Sequence, residues 1–188
     1  MHRPHERILH LVGPGGAGKT TVGPLLSARL RWQFLDLDRE FMRQEGDISA
    51  YIAAHGYEGY ARRNVVVYLN LRNDVQRAAV VALSSGFMTY PLEIEPRYRE
   101  VRRGIEADPL TALLLPSFDL ETCVSSIVAR QLERRYLASS RAKEEQRIRA
   151  RFPVFAALEC ARFRSDASPA QLALDLERFV LDALNPPG

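Results

Sequence analysis

The sequence predicts a three-layer α/β/α chain on a central parallel sheet of about five strands, and three observations predict it. Short apolar runs alternate along the chain with stretches whose apolar residues recur at helical spacing. The first run empties into a glycine-rich turn ending at Lys19 and Thr20, which leads directly into a helical pattern. The second run closes on an acidic pair, Asp36 and Asp38, and ligands of open parallel sheets gather beyond the carboxyl ends of the strands.

The elements follow in order. Ile8, Leu9, Leu11 and Val12 read as a buried strand, and Val22, Leu25, Leu26 and Leu30 as a helix over about 18–31. Between them, Gly13-Pro14-Gly15-Gly16-Ala17-Gly18-Lys19-Thr20 satisfies G-x-x-x-x-G-K-[ST], the phosphate-binding loop. Its glycines permit positive φ, so successive N–H groups turn inward around phosphate oxygens, and the helix adds the positive end of its dipole. Lys19 is placed to reach the β- and γ-phosphates, and the Thr20 hydroxyl to ligate Mg²⁺. All but two of the 26 basic side chains are arginine. One of the two lysines thus stands where a point charge on a flexible stem is wanted.

Residues 32–36 read as the second strand, and if it persists Asp36 and Asp38 point the same way and border the site. A carboxylate there can hold the waters of Mg²⁺ or take a proton from an acceptor hydroxyl; Asp38 can equally cap the next helix. A short helix through Ile48, Tyr51, Ile52 and His55 ends at Gly56, and a longer one carries Tyr57, Tyr60, Ala61, Asn64, Val65, Tyr68 and Leu71. By propensity 65–69 also fits a strand. A buried strand over 78–83 is closed by Ser84, Ser85 and Gly86; an exposed helix lies between Pro91 and Pro109; a fourth strand covers 111–115 and a helix 120–134. From 133 to 151 arginines crowd a stretch with little apolar periodicity, helix resumes through Val154, Phe155 and Leu158, a last strand covers 161–164, and Leu172, Leu176, Phe179, Val180 and Ala183 mark the terminal helix.

Composition narrows the function. A 46% hydrophobic, 26% charged chain is ordinary for a globular domain, and a net charge of +3 is too mild to demand nucleic acid. No apolar run approaches a membrane span and no signal-peptide core opens the chain, so the expected compartment is the cytoplasm. Cys123 and Cys160 are expected as buried thiols and His10 as a structural histidine; the four histidines form no metal cluster. No strand ends in the adjacent Asp-Glu pair of motor ATPases, and no Asn-Lys-x-Asp motif of GTPases is present.

The loop 13–20, its continuation Thr21-Val22-Gly23, the segment Phe34-Leu35-Asp36-Leu37-Asp38 and the later Arg151-Phe152-Pro153-Val154-Phe155 together resemble the shikimate kinases, small-molecule kinases of the P-loop NTPase fold. The resemblance is specific mainly in 13–38 and 151–155. It implies a single kinase domain over 1–188 with a mobile lid at about 133–151, and ATP-dependent phosphorylation of a hydroxyl on a small metabolite. Lys19 and Asp38 would be catalytic, with residues 13–21, Arg130, Arg134 and Arg135 binding ATP and Thr20 with Asp36 holding Mg²⁺. Asp38, Arg62, Ser85, Gly86 and Arg151 would bind the acceptor, a small hydroxylated and carboxylated metabolite. No membrane or nucleic-acid partner is expected, and the chain is expected as a monomer or weak dimer.

Two departures fall on the acceptor side. The family has three glycines after its third strand where this chain has Ser84, Ser85 and Gly86, and an arginine where this chain has Ala61, with Arg62 one residue late. On a helix that shift rotates a side chain by roughly 100°. A kinase with another acceptor (a sugar acid, an aminocyclitol or a nucleoside), or a nucleotide switch without a small acceptor, is the alternative reading.

Overall fold

In a computed structural model of the chain, residues 7–132 and 141–185 are described. Five parallel strands, β1 (Ile8–Val12), β2 (Gln33–Asp36), β3 (Ala79–Ala82), β4 (Thr111–Leu115) and β5 (Ala161–Arg164), form one sheet in the order β2-β3-β1-β4-β5. Parallel strands need crossovers, and helices supply them: α1 (Lys19–Leu30), α2 (Leu37–Glu45), α3 (Ile48–Asp74), α4 (Tyr98–Ala107), α5 (Leu120–Leu132), α6 (Arg141–Ala156) and α7 (Pro169–Leu184). The three-layer expectation holds.

Period-two alternation splits the core into two layers. Leu9 and Leu11 of β1, Val80 of β3 and Leu114 of β4 pack with Val22 and Leu26 of α1 and Leu172 and Leu176 of α7. Ile8, Val12, Val81 and Leu113 face the other way, onto Phe41 of α2, Val65 and Tyr68 of α3, Tyr98 of α4 and Ile127 of α5. Because β1 is central and has β3 and β4 as its neighbours, the turn after it opens into the crevice where the connections diverge to opposite faces.

Several sequence expectations change. The second strand stops at Asp36: its carboxylate Oδ1 accepts from the Asp38 and Arg39 amides at 3.0 and 3.1 Å and caps a helix, α2, that the sequence reading missed. Asp38 therefore lies in the first turn of that helix instead of extending the strand, and it does not cap it. The 65–69 run is helical, and Gly56, at φ 72 and ψ 167, separates two helical stretches within α3 as expected. Helix α6 begins at Arg141, well before Val154: its buried face carries Glu144, Ile148 and Phe155, and one apolar residue per turn was too sparse to register as periodic. Segment 133–140, with Arg134, Arg135 and the first part of the expected lid, lies outside the described residues; the rest of that stretch, 141–151, belongs to α6.

His10 Nε2 pairs with the Tyr68 hydroxyl at 2.9 Å inside the core, and burial lowers its pKa to about 3, so it is a neutral structural residue. Cys123 is buried and Cys160 half-buried, both free thiols. Among the described residues no helix is long and apolar enough to cross a membrane.

One contact fixes how α1 meets the sheet edge. A Cβ on Gly23 would stand 2.1 Å from Phe34 Cε2, so the aromatic ring of β2 lies directly on bare helix backbone. Gly23→Ala is expected to cost about 1–3 kcal/mol by overpacking and to lower Tm by about 2–12 °C in a thermal melt. An unchanged Tm would mean that Phe34 moves aside freely.

Candidate active site

The loop after β1 uses its glycines as the motif demands: Gly13, Gly16 and Gly18 have φ of 144, 79 and 93°. Gly18 then caps α1, which starts at Lys19. The Lys19 ammonium is folded back into the loop, donating to the carbonyls of Gly13 at 2.5 Å and Pro14 at 3.0 Å, and it is 7% exposed. Gly13, Pro14 and Ala17 are buried and build the loop; Gly15, Gly16, Gly18, Lys19 and Thr20 line a cavity of about 610 Å³.

Asp36 and Asp38 form the next wall of that cavity. The buried Ser84 hydroxyl donates to Asp38 Oδ1 at 2.5 Å, and Tyr60 lines the same cavity beside this carboxylate. Burial raises the Asp38 pKa above the ordinary carboxylate value, while the Ser84 hydrogen bond and the Lys19 charge pull it back. Asp36 has given Oδ1 to the start of α2, and its lone pairs are not exhausted by those two amides.

The far end is built by α3, the loop after β3, and α6. Gly86 lines it, while Ser85 lies nearer the phosphate loop, 3.8 Å from a Cβ placed on Gly15; a Cβ on Gly86 would lie 2.4 Å from the Tyr57 hydroxyl and 3.0 Å from Arg151 Nη2. Arg151 donates to the Tyr57 hydroxyl at 2.7 Å, its guanidinium 5.9 Å from the centre of that ring. One and two turns earlier on α6, Arg147 and Glu144 also line the cavity.

Arg62 is not among the residues that line it, against the sequence expectation. Its Nε donates to the Ile94 carbonyl at 3.0 Å and its Nη2 pairs with Glu58 at 2.9 Å. Ala61, at the family's arginine position, is 1% exposed within the core. The neighbouring Arg63 pairs with Glu45 at 2.5 Å, so α3 contributes no arginine to the cavity.

Arg130 lies on the opposite flank of the loop. It donates to the Gly16 carbonyl at 3.1 Å and the Ser165 carbonyl at 2.7 Å, bordering a second hollow of about 490 Å³ with Thr21, Ala167 and Pro169. Sequence reading missed Tyr57, Tyr60, Gln131, Glu144 and Arg147. The last two had a signal: with Arg151 they fall at i, i+3 and i+7, one helix face.

A family model described as shikimate kinase matches residues 15–101. The shikimate kinase of Tolumonas auensis (strain DSM 9187 / NBRC 110442 / TA 4) is 37% identical over 101 residues, 53% of this chain and 56% of that protein. That of Vibrio vulnificus (strain YJ016) is 36% identical over the same length and shares. The matched region thus spans little more than half the length of these curated relatives. A solved structure of a shikimate kinase from Acinetobacter baumannii in complex with shikimate has a TM-score of 0.73 at 26% identity, with 95% of each chain covered. A shikimate kinase structure from Aquifex aeolicus has a TM-score of 0.69 at 18% identity, covering 96% of this chain and 99% of that one, a likeness of fold alone. The chain is shikimate kinase-like in the sequence of its first half and in its fold along nearly its whole length.

Proposed function

We propose that this chain is an ATP-dependent kinase that transfers the γ-phosphoryl group of ATP to a hydroxyl of a small cyclic carboxylate, with shikimate as the leading acceptor. The observation that carries the reading is a single cavity with the phosphate-binding loop and Lys19 at one end, Asp38 at its side and Arg151 beyond. Phosphoryl transfer asks a protein for alignment and charge neutralisation more than for covalent chemistry.

The nucleotide's phosphates bind along the amides of residues 15–20, where Lys19 exchanges its two carbonyl partners for phosphate oxygens. The nucleoside end lies in the second hollow, against the planar Arg130 guanidinium. A hydroxyl from Thr20 and a carboxylate oxygen from Asp36 are hard donors suited to Mg²⁺, which usually takes few protein ligands beside phosphate and water. Among the described residues no group of three His, Cys, Asp or Glu forms a dedicated metal cage, in keeping with such a site. When bound, the ion neutralises charge on the β- and γ-oxygens.

Asp38 accepts the proton of the acceptor hydroxyl, whose oxygen forms the new bond to the γ-phosphorus as the bond to the β-bridging oxygen breaks and ADP departs. Ser84 holds the Asp38 carboxylate toward that hydroxyl. Arg151, steadied by Tyr57, pairs with the acceptor carboxylate. Arg62 has no part in this arrangement. The expected setting is the cytoplasm.

Coupled ADP release with Mg·ATP is measured against shikimate, a sugar acid, an aminocyclitol and a nucleoside. Shikimate is expected to give the largest kcat/KM. Ser84 beside the acceptor space and the buried Ala61 favour, as second reading, another acceptor of the same kinase class, and a different best substrate would establish it. No acceptor-dependent ADP release from any of the four withdraws the kinase reading; nucleic-acid binding that weakens steeply with salt would then point to a nucleotide switch.

A further inference from the structure

The far end of the cavity holds more charge than the proposed reaction uses. Arg147 and Arg151 both line it from α6, four residues apart, so their stems leave the same helix face one turn from each other. Like charges at that spacing oppose each other, a standing cost that an anion between them would relieve. Beneath them Glu144, 4% exposed, also lines the cavity and accepts from Arg147 Nη1 at 2.6 Å. A buried carboxylate held in an ion pair fixes the guanidinium and leaves its other N–H donors to face outward. On the opposite wall Arg62 and Arg63 are turned to Glu58 and Glu45, and Ala61 presents a methyl group to the core.

We propose that Arg147, held by Glu144, is the second anchor for the acceptor's anionic group, so that both cationic contacts come from α6 and select an acceptor carrying one carboxylate. This rests on the kinase reading above. The two guanidinium groups and Glu144 leave one net positive charge at this end of the cavity, which a monoanion neutralises and a dianion overshoots. Tyr57 orients Arg151 as Glu144 orients Arg147, so each arginine reaches the cavity with one donor committed and the rest available.

The test compares the best acid of the acceptor panel, beginning with shikimate, with its methyl ester. Arg147→Gln is expected to raise KM for the acid about 10- to 100-fold, as for a lost charged hydrogen bond, with kcat within a few-fold and KM for ATP unchanged. The preference for acid over ester is expected to fall by the same factor, and Arg147→Lys to recover part of it. Since Arg147→Gln leaves a buried carboxylate without this partner, the Glu144→Gln/Arg147→Gln double variant is measured alongside. A raised acid KM in the double variant at wild-type Tm sustains the anchor, and a restored one overturns it. An unchanged acid KM in Arg147→Gln, or a rise confined to KM for ATP, also overturns it.

Thermal shift with the acid in the absence of ATP separates this proposal from the kinase reading. Stabilisation of the wild type but not of Arg147→Gln, with no ADP release from any acceptor, sustains the anchor and removes the kinase. ADP release with an indifferent Arg147→Gln keeps the kinase and removes the anchor. Neither ADP release nor a thermal shift removes both.

Discussion

Lys19→Ala is expected to reduce acceptor-dependent ADP release by about 10³-fold or more, to near background. A single uncharged donor aimed at developing transition-state charge contributes on the order of 10²–10³ in turnover, and an ammonium at the transferring phosphoryl group carries a full charge. In the structure this ammonium is already desolvated, held by the Gly13 and Pro14 carbonyls inside the loop, and a phosphate tail would replace two neutral partners with anionic ones. Because the same contacts help shape the turn, the variant is measured together with its Tm and with Lys19→Arg. An arginine keeps the charge but brings a planar fork too wide for the space between residues 13 and 19, and is expected to remain well below wild type. Turnover above a tenth of wild type in Lys19→Ala would remove Lys19 from the chemistry.

The second large effect concerns Asp38. Asp38→Asn is expected to lower turnover by about 10²–10⁴-fold while calorimetry shows Mg·ATP binding intact. The substitution isolates charge and basicity from shape. An asparagine retains an Oδ1 to accept the Ser84 hydrogen bond, so the side chain stays where Ser84 holds it. What is lost is the ability to receive the acceptor proton and to keep an anion facing the incoming hydroxyl. Full activity in the variant would show that alignment of the hydroxyl alone drives transfer. A loss of ATP affinity equal to the loss of turnover would instead place the carboxylate with the nucleotide and its ion.

The loop over residues 13–20 was legible in the sequence because its shape is a local matter: glycine conformations, a helix start and one lysine within eight consecutive positions. The same holds for the alternation of strands and helices and for the acidic pair at the end of β2, since a strand's carboxyl end and the residues just past it are neighbours along the chain. The sequence reading nevertheless left Asp38 between two places, on a continued strand or as the cap of a helix, and the structure puts it at neither. Extended and helical continuations after Asp36 differ only in whether that carboxylate caps the following amides, which the pattern of residue types does not reveal.

The acceptor end depended on packing. Arg62 looked like a displaced ligand in the alignment of motifs, yet α3 turns it to Glu58 and the Ile94 carbonyl. In the sequence Arg147 was one of many arginines in the lid stretch and no site was assigned to it or to Glu144; α6 laying one of its faces along the cavity singles them out.

By itself, then, the sequence determined the α/β alternation, the phosphate loop and its lysine, and the carboxylates beside them, because each is specified by contacts within a turn or two of chain. Only the tertiary structure decided which arginines line the cavity, because that follows from how α3 and α6 rotate against the sheet. A helix's rotation is set by the whole buried face it presents to its neighbours.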